Sequence, residues 1–218
     1  MSRIAEISSK SKESILASLD KAYEEKDFAY EKSPDPVAFI KTSNDYLAEM
    51  KQKMEANKYI VEQSLKENLE EKINEIIAKY GYQKMLYGKG LNLNLDKIKA
   101  ESKICFCEEI EKLRKDVFDS DFSIVEARAG VSSHGVALIT SSKDQPRMLS
   151  LAPKLCIVLL KKENVVKSLS EALNLVKNEN EILPSNILFI AGPSRTADIE
   201  LITVFGVHGP QLAHIIIY

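Results

Sequence analysis

After Gly81 the chain is divided into short apolar runs that alternate with amphipathic or turn-rich segments, and this alternation constrains the fold more than any other feature. The runs are Lys84 to Tyr87, Lys103 to Cys107, Phe122 to Ala127, Val136 to Thr140, Leu155 to Leu160, Ile187 to Ala191 and Ala213 to Tyr218, and Glu108 to Phe118 and Val165 to Val176 carry helical spacing between them. Strands covered on both faces read as unbroken apolar runs, and parallel strands need crossover segments long enough for a helix. Residues 82–218 are therefore expected to form an α/β domain, a largely parallel sheet with helices on both faces. Ligands are expected at loops beyond the carboxyl ends of its strands.

Residues 1–81 read as a helical extension or hairpin. Leu47, Met50, Met54, Val61, Leu65, Leu69, Ile73, Ile76 and Ile77 recur near the helical period, so one long helix is expected from a cap at Asn44 or Asp45 to a stop at Gly81. A second helix runs from Arg3 to about Glu25, with Ile4, Ile7, Ile15, Leu16 and Leu19 on one side, and Ser33-Pro34-Asp35-Pro36 is the connection. The stripe of the long helix either packs on the chain's own sheet or docks partner subunits.

The 218 residues suffice for one good core with an appendage. Thirty basic against thirty-two acidic residues, a net charge of -2, remove the usual electrostatic argument for a nucleic-acid binder. No apolar stretch is long enough to span a bilayer, and Arg3, Glu6 and Lys10 interrupt any signal core, so a cytoplasmic protein without a transmembrane segment is expected. Cys105, Cys107 and Cys156 contain no CxxC pair and read as reduced thiols; no iron–sulfur cluster and no metal site are expected in this chain.

Two motifs fail on spacing. Gly88-Lys89-Gly90 follows a strand but lacks the hydroxyl residue after its lysine and the third glycine of a dinucleotide loop, which leaves a tight turn. Gly192-Pro193-Ser194-Arg195-Thr196 resembles a nucleophile elbow with Thr196 in place of the closing glycine.

The segments Gly192-Pro193-Ser194-Arg195-Thr196-Ala197-Asp198-Ile199-Glu200 and Gly206-Val207-His208-Gly209-Pro210 gather turn formers, hydroxyls, carboxylates and an imidazole into a functional loop region. Ile199, Leu201 and Ile202 suggest a helix capped by Ser194 or Thr196, with Asp198 and Glu200 in its first turn. Those carboxylates repel a bare anion, so a ligand there offers hydroxyls or brings a divalent metal, with Arg195 as a counter-charge. His208, held between two glycines, is a candidate general acid or base, whereas His214 within a strand reads as structural. The candidate catalytic residues are His208, Glu200 and Asp198, and the candidate ligand contacts include Gly192, Ser194, Arg195, Thr196, Gly206 and Gly209.

These two motifs, followed by a terminal apolar strand, resemble the lactate-utilisation protein C family, the single-domain members of the LUD group. The resemblance extends through Val125 to Thr140, Arg147 to Leu160 and Val165 to Ala172. It implies a fold similar to the ribose-phosphate isomerase, glucosamine-phosphate deaminase and CoA-transferase superfamily, and a place beside two iron–sulfur proteins in a system that oxidises L-lactate to pyruvate. It also adds Gly135 to the ligand contacts. Many relatives carry Glu-Thr before that glycine where this chain has Ser133-His134, so ligand handling is expected to differ there. The leading expectation is a component of this system, catalytic or accessory, that binds a small hydroxylated or carboxylated ligand. The alternatives are an independent sugar-phosphate or nucleotide-dependent enzyme of the same fold, and a scaffold for the iron–sulfur partners.

Overall fold

The long helix expected over Asp45 to Tyr80 is broken in its middle, and the break supplies an edge strand of the central sheet. The structure, a computed structural model, describes residues 3–24, 40, 42–197 and 203–218, with the side chains of the first helix described over residues 10–21. The chain divides into two compact units, Met1–Asp35, which holds helix α1 (Arg3–Glu24), and Pro36–Tyr218. The second unit contains, in order, α2 (Tyr46–Ala56), β1 (Ile60–Gln63), α3 (Leu69–Tyr80), β2 (Lys84–Tyr87), β3 (Ser102–Cys105), α4 (Ile110–Asp119), β4 (Phe122–Glu126), β5 (Ala129–Val131), β6 (Val136–Thr140), β7 (Leu155–Leu160), β8 (Val165–Val166), α5 (Leu169–Glu179), β9 (Ile187–Ile190), β10 (Arg195–Ala197), β11 (Thr203–Phe205) and β12 (Leu212–Ile217).

Asp45 caps α2, its carboxylate accepting the Ala48 N–H at 3.0 Å. The helix ends without a glycine. Lys58 takes a left-handed φ of 70°, and the Lys58 and Tyr59 N–H groups return to Glu55 O and Met54 O, each at 3.0 Å. Tyr59 and Met54, which this closure brings together, are both buried in the core. The chain leaves extended, and β1 pairs in parallel with β12, Ile60 opposite His214 and Gln63 opposite Ile217. The division expected at residue 81 therefore falls inside one hydrogen-bonded sheet.

That sheet has six parallel strands in the order β1-β12-β7-β4-β2-β3. Every side chain of β7 is buried, and alternation divides them between two cores. Leu155, Ile157 and Leu159 face α3 through Leu69, Ile73, Ile76 and Ile77. Cys156, Val158 and Leu160 face the opposite side, where Met50 and Met54 of α2 and Val117 of α4 lie. Helices thus cover both faces, as expected.

Four of the remaining strands form a separate mixed sheet, β8-β5-β6-β9, where the succession of apolar runs predicts one continuous sheet. Ala129, Val131, Val136 and Leu138 turn toward Ala172 and Val176 of α5, and Ala137 and Ile139 turn toward the core beneath α2. The β5–β6 turn lies against α2. Gly135 there has φ +61°, and a Cβ would stand 2.5 Å from Lys53 Cβ and 2.7 Å from Met54 N. Gly135→Ala combines a left-handed conformation with a backbone clash that no rotamer relieves, so a loss of about 2–4 kcal/mol is expected. Urea titration of the full chain checks this by a lowered midpoint with an unchanged slope.

Candidate functional site

The chain leaves β9 through Gly192 and Pro193, and Ser194 is fixed on both sides of its backbone. Its N–H donates to Pro210 O at 2.8 Å, and its carbonyl accepts the Gly206 N–H at 3.0 Å. Instead of starting a helix, the next residues form a ladder. β10 pairs antiparallel with β11, placing Arg195 opposite Phe205, Thr196 opposite Val204 and Ala197 opposite Thr203. Ser194 and Thr196 are therefore not helix caps, and no helix N-terminus is presented at residues 195–197. The β-branched and aromatic residues Thr196, Thr203, Val204 and Phe205 suit a strand, and their cross-strand pairs decide the local structure. Asp198 and Glu200, together with the Ile199, Leu201 and Ile202 on which the helical reading rested, lie outside the described residues.

Behind this crossing is a cavity of about 160 Å³ between the two sheets. Tyr59, Cys156, Ile190 and Ala213 line it, and Gly192, Ser194, His208 and Gly209 stand at its polar side. Gly192 comes so close to α2's end that a Cβ would stand 2.3 Å from Asn57 O. Gly209 packs against Ser194, where a Cβ would meet the Ser194 Cβ at 3.0 Å. Burial raises the Tyr59 phenol well above its ordinary range and pushes the Cys156 thiol up to about 12, so both stay protonated. The cavity thus offers apolar walls, neutral donors and one exposed imidazole, that of His208.

The structure brings together Gly192, Ser194, His208 and Gly209, with Gly206 at the root of the β10–β11 arm and Arg195 and Thr196 along it. Gly135 is elsewhere, in the β5–β6 turn. Beside it Ser133 Oγ lies 2.7 Å from His134 Nδ1, while Ser132 donates to the buried carboxylate of Glu49. Lys53 Nζ joins Glu49 Oε1 at 2.6 Å and donates to Ser133 O at 2.9 Å. These bonds hold the Glu49 carboxyl below its usual range despite the opposing effect of burial, which is the largest single influence on it. The network ties α2 to the second sheet.

The cavity also lies at the amino ends of β7 and β12, since Cys156 and Ala213 are near the starts of those strands. The carboxyl ends are open in a different place. Glu126, the last residue of β4, and Lys161, just past β7, line two adjoining recesses of about 360 and 240 Å³, together with Tyr218. Gln145 shapes this edge by accepting the Glu126 N–H at 2.8 Å and donating to Glu126 O at 3.1 Å and Thr140 O at 3.2 Å. Sequence reasoning missed Glu126, Lys161 and Tyr218. The available signal was positional, a charged or polar residue at or just past the end of the runs Phe122 to Ala127, Leu155 to Leu160 and Ala213 to Tyr218.

Among the described residues no group of three or more His, Cys, Asp or Glu side chains is placed to hold a metal ion, and no helix is long and apolar enough to cross a membrane. Cys105, Cys107 and Cys156 are free thiols, and Cys107, expected to share a strand face with Cys105, lies beyond the end of β3.

The two motifs and the layered α/β architecture define a class with known members. The LUD domain model matches residues 47–218, and the chain belongs to the LUD domain family. Among its relatives is Lactate utilization protein C of Halalkalibacterium halodurans, 30% identical over 160 residues, 69% of each chain. YkgG of Escherichia coli is 41% identical over 93 residues, 41% of this chain and 40% of that one. Lactate utilization protein C of Bacillus licheniformis is 36% identical over 90 residues, 40% of this chain and 38% of that one. The match thus spans less than half the length of these last two relatives. A crystal structure of a DUF162 family protein from Deinococcus radiodurans shares the fold, with a TM-score of 0.59 at 15% identity over 79% of this chain and 95% of that one.

One buried group gives the fold a pH dependence. His214 on β12 is fully buried, with Nε2 2.9 Å from Tyr80 Oη and Nδ1 3.3 Å from Glu62 Oε1, the latter not aligned as a hydrogen bond. Burial lowers its pKa, outweighing the carboxylate of Glu62. Unfolding releases an imidazole that titrates near the ordinary value of about 6.5. The unfolded chain therefore binds the proton more readily, and stability is full above about pH 6.5 and falls as the pH drops toward the folded-state pKa. Urea midpoints measured from pH 7.5 to 5 are expected to decline, and His214→Gln is expected to flatten that decline.

Proposed function

We propose that this chain is a component of an L-lactate utilisation system that works with two iron–sulfur proteins to oxidise L-lactate to pyruvate. The observation that carries this reading is family membership over residues 47–218, reinforced by relatives named for lactate utilisation. In this reading the chain is the member without a cluster and contributes a ligand site, and the clusters of its partners carry the electrons.

The ligand, small and hydroxylated or carboxylated, is placed at the mouth of the cavity behind residues 192–210. Ser194, with its backbone already committed, presents its side chain there, and Gly192 and Gly209 let the loops close around the mouth. His208 at the rim can give or take a proton without first being desolvated. Arg195, Thr196 and Gly206 belong to the same proposal through their place along the arm, Asp198 and Glu200 through their place in the sequence motif, and Gly135 through the family resemblance. The alternative, an independent sugar-phosphate or nucleotide-dependent enzyme, rests on the fold relationship to the isomerase and CoA-transferase superfamily that the sequence resemblance implies.

A strain lacking this chain and any other lactate dehydrogenase is expected not to grow on L-lactate as sole carbon source. Normal growth of that strain refutes the proposal. Complementation with His208→Ala is expected to lower the lactate oxidation rate about 10²-fold or more at unchanged protein level, the range for loss of a general acid or base. Turnover of a sugar phosphate or consumption of ATP by the purified chain alone would favour the independent enzyme.

A further inference from the structure

The six-stranded sheet reverses its winding between β2 and β4. From β2 the chain proceeds outward to the edge strand β3, returns across β2 to form β4, and then continues in the opposite direction to β7 and β12. Connections that leave neighbouring strands in opposite directions open a crevice beyond their carboxyl ends, the usual ligand position in open parallel sheets. The recesses of about 360 and 240 Å³ lie there, and Gly90 from the loop after β2 and Glu126 from β4 both line the larger one.

The charges in the crevice are unsatisfied in a specific way. Glu126 is half-buried, and Oε1 accepts one long hydrogen bond from the Asn92 N–H at 3.3 Å. Among the described residues Oε2 has no hydrogen-bond partner. Lys161, exposed to solvent, lines the same two recesses, and its ammonium makes no ion pair within 4.0 Å among the described residues. Tyr218 completes the wall. Burial, followed by the nearby Glu126 and Glu163 carboxylates, raises its phenol, which stays a donor. The other charges there limit what can enter. Arg128 is already held by Glu179, Lys66 lines the smaller recess beside Glu70, Glu70 accepts the Asn94 N–H at 2.9 Å, and Asp144 adds another carboxylate to the larger one. A polyanion would meet three carboxylates, whereas a single negative charge can pair with Lys161.

We infer that the crevice at the carboxyl ends of β2, β4 and β7 binds a small hydroxy acid, with its carboxylate on Lys161 and a hydroxyl donating to Glu126. This goes beyond the proposed function, since it is a second site at the opposite end of the sheet from residues 192–210.

Isothermal titration calorimetry of the full chain with glycerate tests the inference, with propionate, glycerol and glycerol 3-phosphate as comparison probes. Glycerate is expected to bind saturably at the crevice, and propionate, which lacks the hydroxyl, and glycerol, which lacks the charge, to bind there about tenfold or more weakly. Glu126→Gln and Lys161→Met are each expected to weaken glycerate about tenfold or more at unchanged melting temperature, while Lys115→Met, an exposed control on α4, leaves it unaltered. No saturable glycerate binding, equal binding by both crevice variants, or tighter binding of glycerol 3-phosphate than of glycerate overturns it. Growth on L-lactate does not enter this readout, so the two proposals fail separately.

Discussion

Burial of the strand Leu155–Leu160 on both faces at once is the constraint on which the rest of this fold depends. Each of its six side chains is removed from water, and full burial of one such aliphatic group contributes about 1.5–3 kcal/mol relative to exposure. Neither core can form alone, because the strand serves both. α3 must cover Leu155, Ile157 and Leu159 while α2, α4 and the inner face of the second sheet cover Cys156, Val158 and Leu160. The neighbours β4 and β12 take their register from the same strand, Ile124 and His214 both standing opposite Ile157. The cavity behind Ser194 and the crevice beside Glu126 are thereby fixed at opposite ends of one rigid element.

Much of the α/β unit was legible because its strands announce themselves by composition. Lys84 to Tyr87, Val136 to Thr140 and Leu155 to Leu160 have the bounds read from the sequence, and Gly81 ends α3 as expected. The failures have local physical causes. β1 was hidden because Val61 and Leu65 continue the apolar spacing of α2 and α3, and because a lysine, Lys58, takes the left-handed closing position normally marked by glycine. The division into two sheets was hidden because a run such as Ile187 to Ile190 does not state its partner, and pairing with Val136 to Thr140 is a long-range choice.

The candidate site was legible in part. Gly192, Ser194, His208 and Gly209, chosen by composition alone, line one cavity, since the turn formers needed for two loops to cross closely are also the residues that stand out in sequence. The helix cap expected at Ser194 or Thr196 misled because Thr196 is consumed in a cross-strand pair with Val204, a partner that its own neighbours in sequence do not announce. Glu126 and Lys161 carry no motif. Their interest comes from the order of strands in the sheet, and no spacing along the chain encodes that order.

The β10–β11 arm has a consequence for how the native state opens. Its ladder has three residue pairs and joins neither sheet, and Val204 and Phe205 remain exposed. A ribbon of that size is marginal by itself, and among the described residues the Ser194 N–H bond to Pro210 O ties its root to the segment that enters β12, while the Gly206 N–H bond to Ser194 O closes the ladder. Its amide protons can exchange with solvent through local opening, at a free energy far below that of the whole domain, while those of Leu155–Leu160 exchange only when the sheet itself comes apart. The loops that frame the cavity therefore sit at the boundary between the least and the most protected backbone of the molecule.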